Sequence, residues 1–194
     1  MPTRSPLADS MERRTFLKCG VAALVVGAVG SKAAVLNAAA PATDKMVSIE
    51  NFSPAGKSLG VAQAAKVVKT DAEWKHQLSE DSYDITRREG TERAFTGEYD
   101  ENHRDGLYRC ICCGTALYDS KAKYDSGTGW PSFWKPISEK NITKTTDRFL
   151  GFARTAISCR LCDAHLGHVF DDGPRPTGLR YCMNSVALKF VPRA

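Results

Sequence analysis

Two stretches decide the fold: CICCG at residues 110–114 and CRLCDAHLGHVFDDGP at residues 159–174. Each opens on a Cys-x-x-Cys pair, Cys110 with Cys113 and Cys159 with Cys162, and 45 residues separate the two pairs. A hairpin of this spacing aims two thiolates at one ion, and two such hairpins complete a tetrahedral zinc site. Four protein ligands leave no open position for water, so the expected single zinc ion is structural and its binding contributes to folding. The other uses of these pairs are a redox dithiol, disulfides, or iron bound by the same ligands. Cys112 could enter the ligand set only at C-x-C spacing, and is read as a small packed residue outside it.

Outward from these knuckles, the chain reads as short β-prone runs broken by Gly, Pro, Asp and Asn. They are Leu107–Arg109, Thr115–Tyr118, Ile142–Thr146, Phe149–Ser158, Leu166–Phe170 and Ser185–Val191. No βαβ rhythm and no phosphate-cradling glycine loop occurs, which argues against a parallel nucleotide-binding sheet. Upstream, Thr70-Asp71-Ala72-Glu73 is a capping box opening a short helix that carries Trp74 and Leu78. Ser79 is a second N-cap, with Tyr83 and Ile85 as the buried face of the helix it starts. Residues 43–69, with Pro54 and Gly56, lack a firm period and read as a tether with a short helix near Val61–Val68. The expected fold is mainly β: a small zinc-stabilised domain of antiparallel sheets over residues 70–194, with short N-terminal helices.

The chain has 194 residues, 42% hydrophobic and 25% charged, which suits one domain plus an extension and excludes collagen-like, disordered and polytopic membrane classes. Its formal charge is +5. Residues 1–42 hold five basic and two acidic residues, which leaves 22 basic against 20 acidic in the rest. Bulk charge therefore gives no reason to expect a nucleic-acid partner. Within residues 1–42, Arg13-Arg14-Thr15-Phe16-Leu17-Lys18 precedes the apolar run CGVAALVVGAVG and an Ala-rich tail. That is the pattern of a secretory signal, and its core falls short of the roughly 20 residues that span a bilayer, so no stable membrane anchor is expected. The arginine pair resembles the twin-arginine export motif, although Glu12 stands where Ser or Thr is preferred. Ala40-Pro41-Ala42 is the expected cleavage site, and the periplasm the expected location. That route, as the resemblance implies, carries folded proteins, which suits thiols that must bind metal before meeting an oxidising compartment.

Cys182, in GLRYCMNS, has no nearby cysteine partner. In an extended segment residues 180, 182 and 184 share one face. Arg180 would then lower the thiol pKa, beside the Asn184 amide. Spacing alone leaves a buried inert cysteine and a nucleophile both open. His165 and His168 follow the second knuckle closely and can be held rigidly beside a reactive thiol. Trp130-Pro131-Ser132-Phe133-Trp134 follows the turn DSGTG, where an aromatic ring can line a pocket.

These residues bring the chain to a family. GTERAFTGEY (90–99), CICCG, DSGTGWPSF (125–133), CRLCDAHLGHVFDDGP and GLRYCMNS (178–185) recur in order over residues 70–190 and resemble the methionine-R-sulfoxide reductases, the MsrB family. The resemblance implies an oxidoreductase that reduces the R epimer of methionine sulfoxide in oxidised proteins. It implies Cys182 as nucleophile, with His165, His168 and Asn184 around the sulfoxide oxygen and Arg180 and Asp172 as supporting charges. Trp130 and Phe133 become the substrate-binding aromatics, and Cys110, Cys113, Cys159 and Cys162 the zinc ligands. Thr128 stands where many members carry a resolving cysteine, so the sulfenic acid is expected to be reduced by an external thiol, thioredoxin-like or other, with Cys112 as the minor alternative. A monomer that repairs exported proteins is the resulting expectation. The rival readings are a zinc-stabilised adaptor without chemistry and a zinc hydrolase or deaminase. The second needs an open metal position that four thiolates do not leave.

Overall fold

A computed structural model describes residues 45–149 and 152–193; the expected leader lies outside the described residues. The described chain opens with β1 (Met46–Phe52) and β2 (Ser58–Ala65), followed by α1 (Asp71–Gln77) and α2 (Glu80–Arg88). Strands β3 (Gly106–Cys110), β4 (Ala116–Asp119), β5 (Lys123–Tyr124), β6 (Ser132–Phe133) and β7 (Ile142–Phe149) come next. Then follow β8 (Phe152–Cys159), β9 (His165–Phe170), β10 (Arg180–Met183) and β11 (Leu188–Pro192). Among the described residues all pairings are antiparallel, in three sheets ordered β1-β2, β5-β6-β10-β9-β8-β7 and β11-β3-β4.

Both helices start where the sequence places them. The Thr70 hydroxyl accepts from Glu73 N at 3.3 Å while the Glu73 carboxylate accepts from Thr70 N at 2.8 Å, which satisfies two orphan donors of α1. Ser79 Oγ accepts from Ser82 N at 3.2 Å to cap α2. Arg87 of α2 covers the buried Trp74 ring at 4.8 Å and donates to Cys162 O at 2.8 Å, so the helices brace the second knuckle.

The two knuckles are the turns of two hairpins in different sheets. Cys110 ends β3 and Cys113 lies in its turn to β4 of the three-stranded sheet; Cys159 ends β8 and Cys162 lies in its turn to β9 of the six-stranded sheet. An aromatic core fills the space between those sheets: Tyr118 stacks on Phe133 at 4.4 Å, and Tyr108 meets Phe133 edge-on at 5.0 Å. Tyr181 and Met183 complete it, the latter accepting from Tyr118 Oη at 3.1 Å.

Several sequence expectations change. Val61–Val68 forms no helix: Ser58–Ala65 is a strand paired with β1. Its Gly60 and the turn at residues 53–57 favour a hairpin, and the sparse local periodicity gave no sign of the partner strand. The stretch expected as a tether is instead docked. Asn141 accepts from Glu50 N and donates to Glu50 O, both at 2.8 Å. Val67 N donates to Leu161 O at 2.8 Å, and Lys66 pairs with Asp163. Ser185–Ala187 is a 3-10 turn, and the last strand begins only at Leu188. The run expected at Phe149–Ser158 divides, since Phe149 ends β7 and Phe152 begins β8.

Candidate active site and metal centre

The metal centre follows from the hairpins. The sulfurs of Cys110, Cys113, Cys159 and Cys162 all lie within 4.8 Å of one another. Cys110–Cys162 and Cys113–Cys159 are separated by 3.6 and 3.5 Å. A tetrahedron with metal–sulfur bonds of about 2.3 Å has edges of about 3.8 Å, so the four thiols fit such an ion. Cys112 stays outside this set, buried against the Thr86 hydroxyl at 3.5 Å.

Strand β10 presents Cys182, the expected nucleophile, by simple alternation. Tyr181 and Met183 turn into the core, while Arg180 and Cys182 lie on the less buried face. Cys182 pairs with Ser132 of β6 on one side and His168 of β9 on the other. The register of β8 against β9 shifts by one residue, from Ile157↔Gly167 to Ser158↔His165, which leaves Leu166 as an extra residue in β9. In a regular strand residues 165 and 168 face opposite ways; the bulge restores them to one side. Their rings meet edge to face at 5.3 Å. Gly167 sits at φ +152°, and a Cβ there would lie 2.2 Å from Cys182 O, so only glycine lets β9 approach β10 this closely.

A cavity of ≈130 Å³ lies over these strands, walled by Trp130, His168, Phe170, Cys182 and Asn184. Trp130 is held by its indole N–H, which donates to Glu92 O at 3.1 Å. Asn184 is buried and fixed at both ends of its amide. Its Oδ1 accepts from Glu92 N at 3.0 Å, and its Nδ2 donates to Leu166 O at 3.1 Å. His165 is buried behind the His168 ring rather than on the cavity wall. Arg180 also stands off the wall. It grips Asp172 through two bonds of 2.8 and 2.7 Å and stacks on Phe170, itself a wall residue, at 4.4 Å.

The electrostatics differ from the sequence expectation. Burial pushes the Cys182 thiol up, and the Arg180 charge with the Thr128 and Ser132 hydroxyls offsets this only in part. The expected lowering by Arg180 is present, but desolvation outweighs it. Asp172 is held below the ordinary carboxylate value by its bonds to Arg180.

Phe133 does not reach the site. It pairs with Tyr181 across β6–β10 and is fully buried in the aromatic core, so in the two-residue period of this pairing Ser132 faces the thiol instead. Sequence reasoning also passed over Glu92. Besides holding Trp130 and Asn184, its carboxylate accepts from Ser185 N at 2.7 Å and Val186 N at 3.1 Å. Thr91 and Arg154 line the cavity as well. Thr91 and Glu92 lie in the stretch GTERAFTGEY, which carried no assigned role; Arg154 had no signal in the sequence.

Residues 78–192 match the SelR domain family. A protein of Hahella chejuensis named peptide methionine sulfoxide reductase MsrB is 56% identical over 125 residues, covering 64% of this chain and 90% of that protein. The protein of that name from Herminiimonas arsenicoxydans is 53% identical over 125 residues, 64% and 91% of the two chains. One from Pseudomonas aeruginosa is 54% identical over 129 residues, 66% and 98% of the two chains.

Proposed function

We propose that this protein, which belongs to the MsrB family of peptide methionine sulfoxide reductases and is an oxidoreductase, reduces the R epimer of methionine sulfoxide in polypeptides through Cys182. One observation carries the reading: a single cavity brings together a thiol, an indole wall and a pair of oxygen-binding side chains, His168 and Asn184. The indole of Trp130 offers an apolar surface to the S-methyl group. His168, with His165 against its ring, supplies a proton to the sulfoxide oxygen, and the Asn184 amide positions that oxygen. Protonation makes the oxygen transferable, and the Cys182 sulfur attacks the sulfoxide sulfur. That attack forms a sulfur–sulfur bond as the protonated oxygen leaves as water; water then adds to the Cys182 sulfur, the sulfur–sulfur bond breaks to release methionine, and Cys182 is left as a sulfenic acid. Cysteine sulfur is oxidised as substrate sulfur is reduced.

Return of the thiol needs two electrons. An external thiol displaces water from the sulfenic acid to form a mixed disulfide, and a second thiol releases Cys182. Support for direct reduction comes from Thr128, whose hydroxyl acts on the Cys182 sulfur, and from Cys112, which is packed against Thr86 and is not a cavity residue. Zinc is the ion proposed for the four-thiolate centre, where it would tie the knuckles together and leave no site for substrate. The proposed location is the periplasm and the proposed substrates are exported proteins, a reading supported by the twin-arginine-like pattern of residues 1–42. A reporter fused to residues 1–45 that stayed in the cytoplasm would reject this location.

The test of the chemistry is epimer-resolved. With dithiothreitol, the protein should consume only the R sulfoxide of a mixed-epimer peptide, and Cys182→Ser should consume neither. Loss of the S epimer, or turnover by the variant, would overturn the assignment.

A further inference from the structure

Phe95 combines three features. It is 70% exposed, the largest exposure among the described large apolar side chains. Its backbone lies at φ +63°, a left-handed conformation that a bulky residue rarely adopts. Yet the loop that carries it is tightly held. Phe95 N donates to Gly129 O at 2.8 Å, Glu92 is bound to Trp130, Asn184, Ser185 and Val186, and Tyr99 N donates to Ser185 Oγ at 3.2 Å. The ring is thus exposed on a fixed backbone.

Phe95 lines neither the cavity nor the groove beside it, but it is seated next to a wall residue of the cavity. A Cβ on Gly129 would lie 2.6 Å from Phe95 N and 2.8 Å from its ring, so the ring rests on the residue preceding the wall indole of Trp130. Thr91, at the start of the same loop, lines both this cavity and a second groove of ≈580 Å³ beside it. The ≈130 Å³ cavity suits a methionine sulfoxide side chain but leaves no room for its neighbours in a polypeptide. Those neighbours must lie across the rim.

We propose that Phe95 is a specificity-determining docking residue for polypeptide substrates. It receives the apolar side chain of a residue flanking the methionine sulfoxide, and the backbone strain is the cost of presenting a rigid aromatic surface beside the cavity. A preorganised ring binds without losing loop entropy on contact. This inference rests on the reductase reading given above.

The experiment compares the full protein with Phe95→Ala, Phe95→Gly and Phe95→Trp on three R sulfoxides. These are N-acetylmethionine sulfoxide amide, a pentapeptide with leucines flanking the oxidised residue, and one with serines there. Phe95→Gly removes the ring while relieving the left-handed strain, and guards against misfolding of the alanine variant. Loss of the ring should raise KM for the leucine peptide about three- to tenfold, with kcat for it nearly unchanged, while KM for the small amide and the serine peptide stays within about twofold. Phe95→Trp should restore the leucine preference. Equal losses on all three substrates would make Phe95 a shaper of the loop and overturn the proposal, as would no change on any. If the wild-type protein reduces none of them, the reductase reading fails first and the docking role with it.

Discussion

Burial raises the Cys182 thiol, and Arg180, Thr128 and Ser132 act against it without prevailing. A thiol with a raised pKa is mainly protonated at neutral pH, so its nucleophilic form grows as pH climbs through and beyond the ordinary value of about 8.5. The Arg180→Gln variant loses the cation, and with it the guanidinium that stacks on Phe170. Its thiol should titrate still higher. The measurement is the pH dependence of iodoacetamide alkylation, followed on the peptide that contains Cys182. An unmoved midpoint would show that Arg180 holds Asp172 and Phe170 without acting on the sulfur. The residue pattern in sequence revealed the cation beside the thiol but not the sign of the balance, because desolvation depends on what covers the sulfur from β6 and β9.

At the scale of elements, one bulge and one hairpin matter most. The extra residue Leu166 turns His165 and His168 to the same side, a parity that spacing along a regular strand forbids. The β1–β2 hairpin lies upstream of the matched SelR domain and is locked onto it by Asn141, which is 0% exposed. That amide also donates to Ala116 O at 2.8 Å, so three backbone groups depend on it. Asn141→Ala should therefore cost about 2–4 kcal/mol, since buried backbone groups lose their partners. The urea midpoint should fall with little change in slope. A midpoint shift matching less than about 1 kcal/mol would mean that water replaces the amide. The capping box of α1 and the N-cap of α2 were legible because their hydrogen bonds join residues three apart. The hairpin was not, because its anchors come from residues about 90 positions away.

For the whole molecule, the knuckles act as a clasp. Each closes a hairpin of a different sheet, and both sheets contribute to one aromatic core. Removing the proposed zinc would set four thiolates, three of them buried, against one another, with two pairs at 3.5 and 3.6 Å. Treatment with a strong chelator under reducing conditions should lower the unfolding temperature and abolish both near-ultraviolet circular dichroism and activity, and one equivalent of zinc should restore all three. Retention of the near-ultraviolet signal after complete metal loss would show that the aromatic core holds the sheets without the clasp. The expected leader at residues 1–42 lies outside the described residues and leaves this argument untouched.

By itself the sequence determined which four cysteines cluster, the mainly β class and both helix starts. These depend on short spacings or on residue chemistry, and both are written locally. Only the tertiary structure decided that Ser132 rather than Phe133 faces the thiol, that His165 lies behind His168, and that Glu92 fixes both Trp130 and Asn184. It also decided that the supposed tether is a docked hairpin. Each of these outcomes depends on pairing register or on contacts between distant segments. A single-residue slip in a strand reverses the side that every residue faces, so composition and periodicity alone do not specify them.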